Sequence, residues 1–198
     1  MDNFDNKKKN NIFEWFVGGN GRAGMSRTRY LTHAALIAAV YAALTIWLAP
    51  ISFGQQQLRV AEAMAILPAF TPAAIPGLFV GCAIANTISF LGLPDLIFGS
   101  LATLVSARLT FMIARSLKGR SGLLNAVLLP LPAVLINAVV VGAMISLLTE
   151  LEFWIAAIGV GVGQALSCYG LGVPLYYLLG SYSRVYGAVK GKLLLKRR

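Results

Sequence analysis

The sequence predicts an all-α integral membrane protein built as a six-transmembrane-helix bundle. Of its 198 residues, 58% are hydrophobic and only 12% are charged. The mean hydropathy is +0.74, far from the composition of an ordinary soluble domain. Charge is also sparse along the chain: between Tyr30 and Arg108, the formal charges are Arg59, Glu62 and Asp95. These observations place most of the chain in a lipid bilayer.

The chain divides into two basic tails and a central apolar domain. Residues 1–29 and 184–198 each carry six Lys or Arg residues and are predicted to be cytoplasmic tails. Residues 30–183 are predicted to form the transmembrane domain. Its six apolar segments, which we interpret as helices, are Tyr30–Ala49, Leu58–Phe70, Ala73–Leu91, Leu96–Ile113, Leu123–Leu148 and Phe153–Leu179.

The second segment is short for a membrane span, which takes about 20 residues, and it contains Glu62. The positive-inside rule favours counting it as a span. With six spans, both tails and the basic loop around residues 115–120 lie on one side of the membrane. The opposite connections, residues 50–57, 92–95 and 149–152, contain no Lys or Arg. We therefore expect a multi-pass protein of the cell membrane with both termini in the cytoplasm.

Three features inside the later segments carry local predictions. Pro130 and Pro132 are expected to bend the fifth helix, and the glycines within residues 159–163 are expected to allow a close helix contact or a local break in the sixth. Arg108 lies toward the cytoplasmic end of the fourth helix. It is expected either to reach the inner headgroups or to face a partner.

Polar residues inside the apolar domain are the candidates for a binding site. A carboxylate at membrane depth, such as Glu62, is costly unless it is paired or functional. Glu62 could form a structural ion pair with Arg59 at i, i+3 spacing, or it could bind a ligand. Gln57 extends the same polar stretch toward the outer loop.

Four further polar residues lie in or beside the other helices: Asn86, Asp95, Asn137 and Gln164. A single amide in a membrane helix usually forms an interhelical hydrogen bond, so each residue has a purely structural interpretation. Together they indicate a polar cavity. Glu62, Asn86 and Asp95 all belong to the outer half of the predicted bundle, so we expect the cavity to open outward.

Small residues form a stripe on the first helix, where they recur every four positions. Such a stripe allows helix backbones to approach closely, either within this bundle or against another membrane subunit. The predicted docking residues are Ala34, Ala35, Ala38, Ala39 and Ala42.

Several function classes lack their motifs. The sequence contains no Walker A motif, no HExxH or GxSxG motif and no metal-ligand spacing of Cys and His. We therefore expect no enzyme activity, no metal and no cofactor in this chain. The basic residues flank apolar spans instead of forming a polar face, which argues against a nucleic-acid partner.

Five short motifs carry a family resemblance that covers residues 34 to about 107. They are Ala49-Pro-Ile-Ser-Phe-Gly, Gln57-Leu-Arg-Val-Ala-Glu62, Gly81-Cys-Ala-Ile-Ala-Asn86, Gly92-Leu-Pro-Asp95 and Phe98-Gly-Ser-Leu-Ala-Thr103. With an alanine-rich first helix, the chain resembles the substrate-binding S components of energy-coupling factor (ECF) transporters. More narrowly, it resembles the QueT-type queuosine-precursor transporters.

The resemblance implies a function and a set of site residues. The ligand would be a 7-deazaguanine, the nitrile or aminomethyl precursor of queuosine, a nucleobase-like molecule. The partners would be a membrane coupling subunit and two ATPase subunits, since this chain has no ATP site of its own. The substrate-binding residues expected on this basis are Glu62, Asn86, Asp95, Arg59, Gln57, Asn137, Gln164 and Tyr169.

Each proposed contact has a chemical reason. A carboxylate such as Glu62 can accept the two adjacent N–H groups of a guanine-type edge, and an amide such as Asn86 can serve either its carbonyl or its pyrrole N–H. Asp95 is a second candidate acceptor, and Tyr169 or Phe53 could stack on the flat ring. Two other classes stay open: an autonomous secondary transporter or facilitator that uses Glu62 for ion coupling, and an intramembrane enzyme or assembly factor.

Overall fold

The computed structural model describes residues 27–53, 58–117 and 122–181 of the chain, and all its elements there are helical. The predicted tails therefore lie mostly outside the described residues, as do Gln57 and much of the basic loop. A short helix, Ala49–Ser52, follows the first of the six longer helices. Those six are α1 (Arg27–Trp47), α2 (Val60–Ala69), α3 (Ala74–Asn86), α4 (Asp95–Ser116), α5 (Gly122–Thr149) and α6 (Phe153–Ser181).

These bounds follow the six predicted apolar segments closely. By length and composition, α1, α4, α5 and α6 are capable of crossing a membrane, with 21 to 29 residues each. The other two helices are shorter, because α2 has 10 residues and α3 has 13. The chain is thus a multi-pass helical membrane protein. Length identifies four membrane-capable helices within the described residues, two fewer than the six expected spans.

The first three helices alternate in direction. Glycines of α3 pack against the backbone of α1: a Cβ at Gly77 would lie 2.8 Å from the carbonyl oxygen of Ala34, and a Cβ at Gly81 would lie 2.8 Å from that of Ala38. Positions 77 and 81 thus follow positions 34 and 38 in the same order. Therefore α3 runs parallel to α1, and the two backbones touch because α3 has no side chains there.

Helix α2, which connects α1 to α3 in the chain, runs in the opposite direction to both. The hydroxyl of Tyr41, late in α1, bonds Glu62 near the start of α2, whereas Ala73, just beyond the end of α2, packs against Tyr30 early in α1. Those two α1 residues are separated by roughly 16 Å along an α-helix axis. We refer to the end of the bundle that contains Trp47 as the Trp47 end and to the other as the Tyr30 end.

The winding of α2 allows ten residues to span this distance. Its residues form a 3-10 helix, which rises about 2.0 Å per residue where an α-helix rises about 1.5 Å. Ten residues therefore cover about 20 Å. The side chains of α2 are almost all buried, Glu62 among them, so the helix lies inside the bundle.

The last two helices form an antiparallel pair with close backbone contact. A Cβ at Gly142 of α5 would lie 2.7 Å from the Cα of Ala157, and a Cβ at Gly161 of α6 would lie 3.4 Å from the Cβ of Ala138. At Gly161, within the glycines of residues 159–163 that were predicted to permit a close contact, an added Cβ would make only an ordinary contact, so the tight approach of this pair lies at Gly142.

The helices are irregular at three places: near Pro130 and Pro132 in α5, and at two π turns. Helix α5 is interrupted at residues 129–130, between Gly122–Leu128 and Leu131–Thr149, at the position where Pro130 and Pro132 are expected to bend it. Helix α4 begins with a π turn at Asp95–Gly99, and α6 contains another at Leu166–Gly172. Such turns often occur at functional sites. Both lie beside the polar residues described below.

The alanines of α1 form two rows on different faces of the helix. Ala38 and Ala42 are buried, and Ala34 packs beside Tyr30 and Ala73, so one row belongs to the internal contact with α3. A second row, which includes Ala35 and Ala39 together with Ala43, is exposed. Of the predicted docking residues, only Ala35 and Ala39 are exposed on the outside of the bundle.

Candidate functional site

A buried carboxylate lies at the centre of the polar residues. Glu62 is 1% exposed, and its Oε1 accepts a hydrogen bond of 2.5 Å from the hydroxyl of Tyr41. Its second oxygen, Oε2, is buried and has no hydrogen-bond partner among the described residues. Because a buried polar atom is costly to leave unsatisfied, Oε2 is a candidate ligand contact.

Arg59 does not neutralise Glu62 by a direct ion pair. Its Nη2 lies 2.9 Å from Oδ2 of Asp95, and both side chains are almost fully buried. The guanidinium also lies over the ring of Phe53, 5.2 Å from the ring centroid. The i, i+3 ion pair considered from the sequence is thus replaced by a pair that joins the start of α2 to the start of α4.

Asp95 has internal partners at most of its acceptor sites. Besides Arg59, its carboxylate accepts a hydrogen bond of 2.6 Å from the hydroxyl of Ser89 and a longer one of 3.4 Å from Nδ2 of Asn86. A carboxylate offers about four lone-pair sites, so Asp95 has little capacity left. In this structure, Asp95 is a structural anchor of the site instead of an open acceptor.

Asn86 links α3 to this anchor through its amide nitrogen. Nδ2 donates to the main-chain carbonyl of Asp95 at 2.8 Å, and it also contacts the sulfur of Cys82 at 3.5 Å. Its oxygen, Oδ1, is buried without a hydrogen-bond partner among the described residues. The site therefore contains two open acceptors, Oδ1 of Asn86 and Oε2 of Glu62.

The local backbone explains how α3 and α4 bring these groups together. Gly92 has a φ of +66° in the connection between the two helices, a conformation that glycine adopts without strain. One helical turn into α4, Gly99 leaves room for the anchor: a Cβ there would overlap Oδ1 of Asp95 and would lie 2.9 Å from Nδ2 of Asn86. The glycine at position 92 is therefore explained by its backbone conformation, and the glycine at position 99 by packing against the site.

Helix α6 reaches the other side of α2. The thiol of Cys168 donates to the main-chain carbonyl of Glu62 at 3.4 Å and contacts Oε1 of Gln164 at 3.7 Å. Gln164 and Asn137 are both buried, and the helix pairing at Gly142 and Gly161 puts them at nearly the same level of the bundle. Gln164 thus lies close to α2, and Asn137 faces the interior of the bundle from α5.

One of the predicted substrate contacts, Tyr169, does not join this group. The hydroxyl of Tyr169 donates to the carbonyl of Val127 at 2.8 Å, which ties α6 to α5 away from Glu62. Gln57 lies outside the described residues. Of the two predicted stacking residues, Phe53 is the one beside the site, through its contact with Arg59.

The structure adds site residues that the sequence did not single out. Tyr41 bonds the carboxylate, and Ser89 bonds Asp95. A tyrosine in an alanine-rich helix carries no pattern that would assign it to a carboxylate 21 residues away. Elsewhere, within residues 27–53, 58–117 and 122–181, no group of three or more His, Cys, Asp or Glu side chains could hold a metal ion.

The fold and the site define a multi-pass helical membrane protein with polar side chains gathered inside its bundle, an arrangement common in transporters. The chain belongs to the QueT transporter family, whose model matches residues 31–181. The description of that family is that of a transporter.

A curated relative supports the same assignment. The queuosine precursor transporter QueT of Lactococcus lactis subsp. cremoris (strain MG1363) is 38% identical over 82 residues, which are 40% of this chain and 48% of the relative. The match thus spans about half the length of that relative. No solved structure matches the chain significantly.

Proposed function

We propose that this chain is the substrate-binding membrane subunit, the S component, of an ECF-type importer that takes up 7-cyano- or 7-aminomethyl-7-deazaguanine. The single observation that carries the proposal is the carboxylate of Glu62, buried and held at one oxygen by Tyr41 while the other has no partner among the described residues. Membership of the QueT transporter family and the name of the curated relative support the substrate.

The chemistry of a guanine-type edge matches this carboxylate. That edge presents an N–H and an exocyclic amine side by side, and a carboxylate accepts two parallel N–H bonds with its two oxygens. The bond from Tyr41 occupies only part of the capacity of Oε1, because each oxygen has two acceptor sites. Tyr41 also holds one oxygen of the carboxylate in place.

The exposed face of α1 is the surface that we assign to the coupling subunit. Ala35, Ala39 and Ala43 form a smooth row on the outside of the bundle, where another helix could approach closely. The opposite row is already occupied by α3. ATP hydrolysis would belong to the partner subunits, and both termini of this chain would lie in the cytoplasm of the cell.

Equilibrium binding tests the substrate assignment. The purified chain in detergent is titrated with 7-cyano-7-deazaguanine, with guanine and riboflavin as comparison ligands. We expect tight binding by the wild type and about a 10- to 100-fold loss in Glu62→Gln, since one charge-assisted acceptor is removed. The matched control is Glu152→Gln, at an exposed position, which should bind normally.

Either of two results would contradict the proposal. Folded wild-type protein that binds no deazaguanine would overturn the proposed substrate, and an unaffected Glu62→Gln variant would remove Glu62 from the site.

Transport measured in proteoliposomes tests the class of transporter. Uptake by this chain alone, driven by an ion gradient without any ATPase subunit, would favour the secondary transporter, for which the open oxygen of Glu62 would serve as the ion-coupling group.

A further inference from the structure

The amide of Asn86 has a fixed polarity. Its Nδ2 lies 2.8 Å from the main-chain oxygen of Asp95 and 3.4 Å from a carboxylate oxygen of the same residue. Both atoms are acceptors only, so a flipped amide would place Oδ1 against two other oxygens. The nitrogen must therefore face Asp95, and the oxygen must face away from it.

The surroundings of the amide prevent it from turning. Asp95 is held by Arg59 and Ser89 at 2.9 and 2.6 Å, and Gly99 packs so closely that a single Cβ would overlap the Asp95 carboxylate. Asn86 itself is 1% exposed. An Asn held in this way cannot exchange its donor for its acceptor when a ligand arrives.

We propose that Asn86 is a specificity-determining residue that accepts a hydrogen bond from the ligand and cannot donate one. This inference rests on the proposed function, because it concerns how the deazaguanine is held. Of the two groups that an amide could serve on such a ligand, the carbonyl requires a donor and is excluded. On the nitrile precursor, whose edge donors we assign to Glu62, the ring donor that remains is the pyrrole N–H, and it meets Oδ1 of Asn86.

This assignment has a consequence for the class of substrate. The pyrrole nitrogen of a 7-deazaguanine is the atom that carries the sugar in the corresponding nucleoside. A site that requires an N–H at that atom takes the free base and rejects derivatives substituted there. Together with Oε2 of Glu62, which is also without a partner among the described residues, Asn86 makes the site complementary to a ligand with donors at both ends.

The test uses a ligand that lacks the donor without adding bulk. The furopyrimidine analogue of 7-cyano-7-deazaguanine carries a ring oxygen in place of the pyrrole N–H. We expect the wild type to bind it at least about tenfold more weakly than the parent base, because two acceptors would face each other. The N-ribosyl derivative should bind more weakly still.

A double-mutant cycle assigns the lost bond to Asn86. In Asn86→Leu, the preference for the parent base over the furan analogue should fall to about onefold, because a leucine side chain forms a hydrogen bond with neither the pyrrole N–H nor the furan oxygen. In Asn125→Leu, at the Tyr30 end where the amide bonds Tyr176, the preference should stay at its wild-type value.

The possible failures are distinct. If the wild type binds the parent base and the furan analogue equally, the inference is overturned and the proposed function stands. The same holds if Asn86→Leu keeps the wild-type preference. If folded wild-type protein binds no deazaguanine, the proposed function and the inference fall together. The wild-type comparison can still overturn the inference where Asn86→Leu does not fold.

Discussion

At the residue scale, the site separates groups that hold the structure from groups left open. Asp95 and Arg59 satisfy each other across α2 and α4, and Tyr41 satisfies one oxygen of Glu62. The remaining oxygens of Glu62 and Asn86 lack partners among the described residues. Because native proteins leave few buried polar atoms unsatisfied, this division indicates where a ligand would complete the hydrogen bonding.

Removing the hydroxyl of Tyr41 should destabilise the protein. In Tyr41→Phe, Oε1 of Glu62 stays buried without its donor, which should lower the free energy of unfolding by about 1–3 kcal/mol. Thermal unfolding in detergent measures this change. The matched control is Tyr177→Phe, at a side chain that is 44% exposed, and it should unfold like the wild type. Equal stabilities for the two variants would refute the importance of the bond.

Breaking the Arg59–Asp95 pair from one side should be more damaging than removing both charges. Asp95→Ala removes the carboxylate that the buried guanidinium contacts directly, which should cost about 3–5 kcal/mol, whereas Arg59→Met with Asp95→Leu should recover much of that loss. Denaturant unfolding of the three proteins measures the difference. A double variant as unstable as the single one would show that the ion pair is not the dominant interaction of these side chains.

The sequence predicted many of the residues of the site but not which of their side chains contact each other. Membrane depth singled out Glu62, Arg59, Asn86 and Asp95, and the structure brings the last three into direct contact. The sequence could not reveal that Arg59 pairs with Asp95 instead of Glu62, because the pairing depends on how α2 is rotated against α4. Tyr41 was missed because contacts between helices leave no local pattern.

At the scale of the helix, the segments were predictable and their winding was not. Apolar runs and charge gaps predicted all six helices to within a few residues, except for the C-terminal end of α3. The 3-10 winding of α2 and the two π turns come from tertiary packing, and no residue pattern specifies them. Pro130 and Pro132 are the exception, since proline removes a backbone donor and breaks the helix locally.

The contact between α5 and α6 offers a matched pair of glycine substitutions. A Cβ at Gly142 would lie 2.7 Å from a backbone atom of Ala157, whereas a Cβ at Gly161 would lie 3.4 Å from a methyl group of Ala138. We expect Gly142→Ala to lower stability by about 1–3 kcal/mol through overpacking and Gly161→Ala to change it little. Thermal unfolding compares them, and the reverse order would contradict this helix contact.

At the scale of the whole molecule, the helices alternate in direction through the bundle. Helix α2 runs from the site to the Tyr30 end, where Phe70 packs against Tyr176 with ring centroids 5.5 Å apart, and α3 runs back toward the Trp47 end. This arrangement favours six crossings, although two helices are short. Trp47 and Trp154 are both strongly exposed at the Trp47 end, as expected for aromatic residues at a membrane interface.

Cysteine labelling in intact cells tests the number of crossings. Cys82 and Cys168 are buried, so introduced cysteines should dominate the reaction with a membrane-impermeant maleimide. With six crossings, Leu93→Cys should react from outside, and Phe70→Cys should react only after permeabilisation. If α2 and α3 fail to cross, both positions lie on the same side and both should react in intact cells.

The π turn of α6 allows this helix to change its length at one place. A π turn amounts to one extra residue within an α-helix, wound so that the segments on either side keep their faces. Deleting one residue within Leu166–Gly172 would therefore leave an uninterrupted α-helix with Gln164 on its present face, whereas a deletion within Phe153–Ala165 would rotate the residues before it by about 100°. Homologous chains should accordingly gain or lose a residue at this turn more readily than elsewhere in α6.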